Sequence, residues 1–244
     1  PGAAPFGNFP QYGRFHPPEL RLRRALVGLL RELCPGTGRA LLGIDVGCNS
    51  GELSIAMFRH LLALPDPHSH SHSGRDPPEP PLDLHLLCCD IDPELILRAR
   101  RSCPFPHSMT FIPLDIMDPG ARDRALNSHL ERFGRSAFDL GLCMSVTMWI
   151  HLRHGDRGLR EFLGFLASRC AFLLLEPQPW KCYRAAARRL RKLGRRDWEH
   201  FRELGIRGDV AGRISGILTR ECAMELVRSF GNTEWERSIL LFRS

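Results

Sequence analysis

The sequence predicts an α/β protein on a doubly wound, mostly parallel sheet, and three observations carry that expectation. Apolar runs of strand length recur along the chain, and stretches of helical periodicity separate them. The first run, Leu41 to Val46, leads through an acid at Asp45 into a turn bracketed by Gly47 and Gly51. Regular alternation of strand and helix implies parallel pairing, because each helical crossover returns the chain to the same end of the sheet. At 244 residues, 43% apolar and 25% charged, the chain has material for one large core. A single domain over residues 1–244 is therefore expected, with an N-terminal arm (1–19) and a disordered Pro/His-rich insert (65–81).

In the arm, Phe6, Phe9, Tyr12 and Phe15 recur every three residues, but Pro5, Pro10, Pro17 and Pro18 exclude a continuous helix. An extended segment whose rings pack on the rest of the protein fits both facts. A helix is expected from about Pro18 to Leu33, with Leu22, Leu26, Leu29, Leu30 and Leu33 facing inward. After strand one and its glycine turn, Leu53, Ala56, Met57 and Leu61 mark a second helix. The insert holds six prolines and the run His68, His70, His72. Histidines at alternate positions, with no cysteine or carboxylate framework, do not define a coordination sphere, so no metal is expected. Further strands are expected at 84–89, 109–114, 138–144 and 171–175, with helices near 93–101, 120–132 and 155–168. Two late strands, about 223–230 and 237–243, flank the turn signal Gly231-Asn232-Thr233. They would close the C-terminal edge as an antiparallel pair and bring the sheet to seven strands.

In an open parallel sheet the ligand lies beyond the carboxyl ends of the strands. Gly47 allows a sharp turn there, and Gly51 lets the helix start approach a ligand closely. The dinucleotide pattern G-x-G-x-x-G would need a glycine where Asn49 stands. Asp90 ends strand two and suits the two hydroxyls of a ribose, whereas Asp92-Pro93-Glu94 reads as a helix start capped by Asp92. Asp115 ends strand three. It either accepts the amino group of an adenine held between Ile116 and Met144 or caps the next helix.

The formal charge is +7, and all but two of the 34 basic residues are arginine, the exceptions being Lys181 and Lys192. From Lys181 to Arg196 the chain carries eight positive charges and no acid. Arg184, Arg188, Arg191 and Arg195 fall on one stripe of a helix, with Ala186, Leu190 and Leu193 expected on the packed side. An arginine stripe without balancing acids suits the phosphate backbone of a nucleic acid. Nine cysteines form no C-x-x-C pair, and no signal peptide or eighteen-residue apolar segment is present. A reducing compartment is expected, with no membrane association and no structural zinc.

Several of these stretches resemble known families. Asp45-Val-Gly47-Cys-Asn49-Ser-Gly51 resembles the first motif of S-adenosylmethionine (SAM) methyltransferases. Glu176-Pro-Gln-Pro-Trp180 with Tyr183 resembles the signature of the bicoid-interacting-protein type RNA methyltransferases. So do Gly7-Asn8-Phe9-Pro-Gln-Tyr12, Ser145-Val-Thr-Met-Trp149-Ile-His151 and Gly155-Asp156. The resemblance spans almost the whole chain and is nearest to the branch that methylates the 5′-monophosphate of RNA, in cytoplasmic histidine tRNA and microRNA precursors. It implies a Rossmann-like class I SAM-dependent methyltransferase fold. It implies SAM contacts at Arg21, Gly47, Asn49, Asp90, Asp115, Ile116 and Met144, and places Tyr12 and His151 at the phosphate as catalytic residues. Glu176 is expected to order the Pro-Gln-Pro loop. At Met148 the snRNA-capping branch carries lysine, and the loss of that cation suits an acceptor with fewer phosphates. A cytoplasmic location and a monomer are also expected. The rival readings are a small-molecule SAM methyltransferase, which does not need the arginine stripe, and a non-catalytic RNA-binding module, which does not need Gly47, Asn49, Asp90 and Asp115.

Overall fold

The computed structural model describes residues 39–62, 83–194, 196, 198–232 and 237–244. The arm with Tyr12, the 18–33 helix with Arg21, the 65–81 insert, Arg195 and Thr233 lie outside the described residues.

Seven strands form one sheet in the order β3-β2-β1-β4-β5-β7-β6. The first five are β1 (Leu41–Val46), β2 (Leu84–Asp90), β3 (Met109–Pro113), β4 (Phe138–Met144) and β5 (Cys170–Glu176). All five pair in parallel. Then β7 (Ser238–Arg243) runs antiparallel to β5, and β6 (Glu225–Asn232) antiparallel to β7. The expected mostly parallel sheet with an antiparallel C-terminal edge is what forms. Strand order reverses between β1 and β4, where Ile44 lies in register with Leu87 on one side and Gly141 on the other. That reversal opens a crevice at the carboxyl ends of β1 and β4.

The central strands are apolar throughout because helices cover both faces. Side chains alternate between two cores: Leu42 and Ile44 pack with Leu159, Phe162 and Leu163, while Leu41 packs with Met57, Phe58 and Leu86. Helix α1 (Glu52–Leu61) carries the chain back to the amino ends of the strands, so Leu62 and Asp83 both stand at the pole opposite the crevice. Helices α2 (Pro93–Ser102) and α3 (Pro119–Glu131) start alike. Asp92 accepts the N–H of Glu94 at 3.0 Å and Asp118 that of Ala121 at 3.1 Å, each with a proline next in the chain.

Three elements differ from expectation. Helix α4 spans Thr147–Arg169 and starts well before residue 155. Gly155, at φ 68° and ψ −172°, breaks it internally, and the regular pattern past that glycine was what the sequence displayed. Helix α6 (Val210–Arg220) was not anticipated. Asp209 caps it by accepting the N–H of Gly212 at 2.9 Å, and Val210, Ile214, Ile217 and Leu218 seal it to the core. The Gly231-Asn232 turn signal lies inside β6, where the register shifts twice against β7 and Gly231 takes φ 76°. Among the described residues no helix is long and apolar enough to cross a membrane.

Candidate active site

The loop after β1 is built on left-handed backbone: Gly47, Asn49 and Gly51 take φ of 76°, 53° and 80°. Its glycines are steric necessities. A Cβ on Gly47 would come within 2.1 Å of Val146 Cγ2, and one on Gly51 within 2.9 Å of the Phe111 ring. The amides of Gly47 and Cys48 donate to the Cys89 carbonyl at 2.8 and 3.0 Å, tying the loop to the end of β2. Buried Asp45 accepts the Ser54 hydroxyl at 2.5 Å and so locks β1 to α1. Asn49 steadies its own left-handed turn by accepting the Ser50 amide on Oδ1 at 2.8 Å.

Asp90 is held with little freedom. Its Oδ2 accepts the Asn49 amide at 2.8 Å and its Oδ1 the Asp92 amide at 3.0 Å. Burial pushes its carboxyl pKa up, and the amides of Asp92 and Asn49 pull against that rise. An ionised carboxylate offers about four lone-pair sites, so each oxygen keeps acceptor capacity for a vicinal diol. Asp92 meanwhile caps α2, as the sequence suggested. Asp115 is exposed at the end of β3 and accepts the Met117 amide at 2.9 Å. Capping of α3 falls to Asp118 and not to Asp115. Ile116 and Met144 are 5% and 6% exposed at the ends of β3 and β4. Gly47, Asn49, Asp90, Asp115, Ile116 and Met144 thus line the carboxyl ends of adjacent strands. Tyr12 and Arg21 are outside the described residues.

The other wall is organised by Glu176 and Gln178. Ser145, at φ 66°, donates its hydroxyl to Glu176 and its amide to the Glu176 carbonyl at 3.0 Å. Arg237 reaches the same pair, Nη1 lying 2.8 Å from Ser145 Oγ and 3.3 Å from Glu176 Oε1. Gln178 donates Nε2 to the Ser145 carbonyl and accepts on Oε1 from the Met148 amide at 3.2 Å. The Glu-Pro-Gln-Pro segment therefore fixes the turn after β4, with Glu176 fully buried against Arg237. Arg237 was not singled out in the sequence, and Ser145 was named only as the start of a family-like stretch. An arginine at the start of a strand, among so many arginines, carries no local signal.

His151 is fully buried, and both ring nitrogens are engaged. Nε2 lies 2.7 Å from Asp156 Oδ1, and Nδ1 lies 3.0 Å from the Tyr183 hydroxyl. Burial lowers its pKa while Asp156 opposes the fall. In the neutral ring Nε2–H donates to Asp156, and Nδ1 accepts from Tyr183. Through these two bonds His151 ties α4 to the next helix. Met148 is 3% exposed and belongs to the core, so a longer cation there would need the turn to rearrange.

Helix α5 (Trp180–Lys192) buries Tyr183, Ala186 and Ala187 and exposes Arg184, Arg188 and Arg191. The packed side differs from expectation. Leu190 is only half-buried, and Leu193 is 50% exposed because the helix ends at Lys192 and Leu193 is its C-cap. Among the described residues no His, Cys, Asp and Glu group could hold a metal ion, and the described cysteines are free thiols.

A seven-stranded sheet of this order, with a glycine loop at the switch point and an acid closing β2, is a class I methyltransferase fold. Solved relatives agree. The structure is similar to the N-methyltransferase NodS of Bradyrhizobium japonicum, with TM-score 0.53 and 17% identity over 94% of this chain and 98% of that one. It is also similar to magnesium protoporphyrin IX methyltransferase of Synechocystis, with TM-score 0.51 and 17% identity over 97% of this chain and 85% of that one. Identity at that level speaks to fold alone. The family model for bicoid-interacting protein 3 matches residues 138–244. The RNA 5′-monophosphate methyltransferase of Bos taurus is 60% identical over the whole chain, which covers 82% of that protein. The pre-miRNA 5′-monophosphate methyltransferase of Xenopus laevis is 54% identical over the whole chain and 93% of its own length. More distant is the 7SK snRNA methylphosphate capping enzyme of Mus musculus, 27% identical over 73% of this chain and 31% of that one. The chain belongs to the bicoid-interacting protein 3 family.

Proposed function

We propose that this protein is a SAM-dependent O-methyltransferase that methylates the 5′-monophosphate of RNA. Whole-chain identity of 60% with a relative bearing that activity carries the reading. Names of relatives that specify pre-miRNA support microRNA precursors as acceptors, and histidine tRNA belongs to the same proposal. So do a cytoplasmic location, a monomer, and one domain over 1–244 with its arm (1–19) and insert (65–81).

The site fits the cofactor on its own geometry. The loop has no room for a Cβ at Gly47, and the Asp90 carboxylate is held by two amides with lone pairs to spare. Gly47 and Asn49 would cradle the amino acid end, with Arg21 beside them. Asp90 would take the ribose, and Asp115 the adenine between Ile116 and Met144. When bound, SAM supplies a methyl group on a sulfonium. The acceptor needs little activation, because the second pKa of a phosphate monoester lies near about 6 and the oxygen is anionic at neutral pH. No general base is required, which suits a site whose histidine has both nitrogens engaged. The chain's task is alignment in a dry crevice. Tyr12 would hold the phosphate from the arm, and His151 would brace that side through Tyr183 and Asp156.

The test is mass spectrometry of 5′-monophosphate and 5′-triphosphate RNAs incubated with SAM. One or two added methyl groups on the monophosphate are expected, and unmodified ends on both would sink the proposal. The arginine stripe gives a second expectation. Arg184→Gln, Arg188→Gln and Arg191→Gln together should raise the KM for RNA and leave SAM affinity unchanged. The slope of log affinity against log salt should flatten by about 0.7 for each phosphate that the variant no longer neutralises. A small-molecule acceptor would show neither effect.

A further inference from the structure

Four half-buried rings adjoin the second wall of the site. Trp180 opens α5 and stacks on Phe201, with centroids 5.6 Å apart and planes 6° from parallel. Trp149, in the first turn of α4, meets Trp198 at 5.7 Å. Two guanidinium groups lie over these rings, Arg207 at 5.7 Å from Trp180, which also stacks on Tyr183 at 5.0 Å, and Arg153 at 5.8 Å from Trp198. Trp180 opens the helix that carries Arg184, Arg188 and Arg191, so this patch adjoins the arginine stripe.

Trp198 and Phe201 come from the irregular stretch between α5 and α6, and Asp156 latches that stretch down. Its Oδ2 accepts the Gly205 amide at 2.9 Å, and its Oδ1 accepts the Ile206 amide at 3.3 Å as well as His151 Nε2. Gly205 permits the approach, since a Cβ there would stand 2.7 Å from Asp156 Oδ2. Rings that serve only a core are normally sunk in it. Rings left half-covered, interleaved with guanidinium groups and set beside a phosphate-binding stripe, match a nucleobase, which stacks on aromatic faces whatever its sequence.

We propose that the 198–207 segment, latched to α4 by Asp156, is a stacking wall for an unpaired base at the 5′ end of the RNA. Asp156 is then a positioning residue that acts through this wall. The inference rests on the reading of the chain as an RNA 5′-phosphate methyltransferase.

Two 5′-monophosphate oligoribonucleotides, identical except for an abasic ribose at the first position, separate the possibilities. The full chain is assayed as wild type, Trp198→Ala, Trp198→Phe and Asp156→Asn, with kcat, KM and SAM affinity measured for each. The wild type should show a KM about five- to a hundredfold higher on the abasic RNA. Trp198→Ala should raise KM on the base-bearing RNA and erase the difference, and Trp198→Phe should restore most of it. Asp156→Asn should narrow the difference with SAM affinity unchanged, whereas a merely structural role would lower kcat on both RNAs alike. Equal KM values for the two RNAs with wild type, or full discrimination kept by Trp198→Ala, would overturn the wall. Methylation of neither RNA would overturn the activity reading, and the wall with it.

Discussion

Asp90→Ala is expected to weaken SAM binding by at least about a hundredfold while leaving the fold in place. Hydrogen bonds to a charged acceptor contribute roughly 1.5–3 kcal/mol each, and a ribose would make two. Loss of the side chain also strips the Asn49 and Asp92 amides of their acceptor and loosens the left-handed loop from β2. Asp90→Asn keeps the shape but turns one acceptor oxygen into a donor that faces an amide, so an intermediate loss is expected. Titration calorimetry with SAM, beside thermal melts followed by circular dichroism, measures both variants. Affinity within threefold of wild type for Asp90→Ala would remove the ribose from this carboxylate.

Arg237→Leu should cost about 3–5 kcal/mol of stability, because it leaves the Glu176 carboxylate in the interior without that cation. Glu176→Leu with Arg237→Leu should cost less than Arg237→Leu alone, since no charge then remains buried at that spot. Urea denaturation of the two variants checks the order. The single variant should also lose methyl transfer, because Arg237 and Glu176 together set the Ser145 turn at the end of β4. A shift in urea midpoint worth less than about 1 kcal/mol for Arg237→Leu would mean that the pair is dispensable.

Much of this fold was legible because its strands are buried on both faces, which makes them continuous apolar runs with sharp ends. The Asp92 cap could be read because Pro93 marks a helix start by its fixed φ. Helix α6 escaped because its inward residues alternate with glycine and serine, which blurs a helical pattern. The first half of α4 escaped because Gly155 reads as a boundary, whereas here it is a break within one element. Leu193 was misplaced because periodicity does not say where a helix ends. Arg237 could not be found from sequence at all. Its meaning lies in Glu176 and Ser145, which only β5 and β7 pairing brings near.

The position of Leu62 and Asp83 at the far pole of the sheet has a consequence for how this protein can change. The crevice lies at the carboxyl ends of the strands, while Leu62 and Asp83 stand at the other end of the same strands. The entropy of closing a loop grows only with the logarithm of its length. Additions and deletions at that pole are therefore cheap in free energy and remote from methyl transfer. Two proteins of this fold can differ widely there and still share one chemistry.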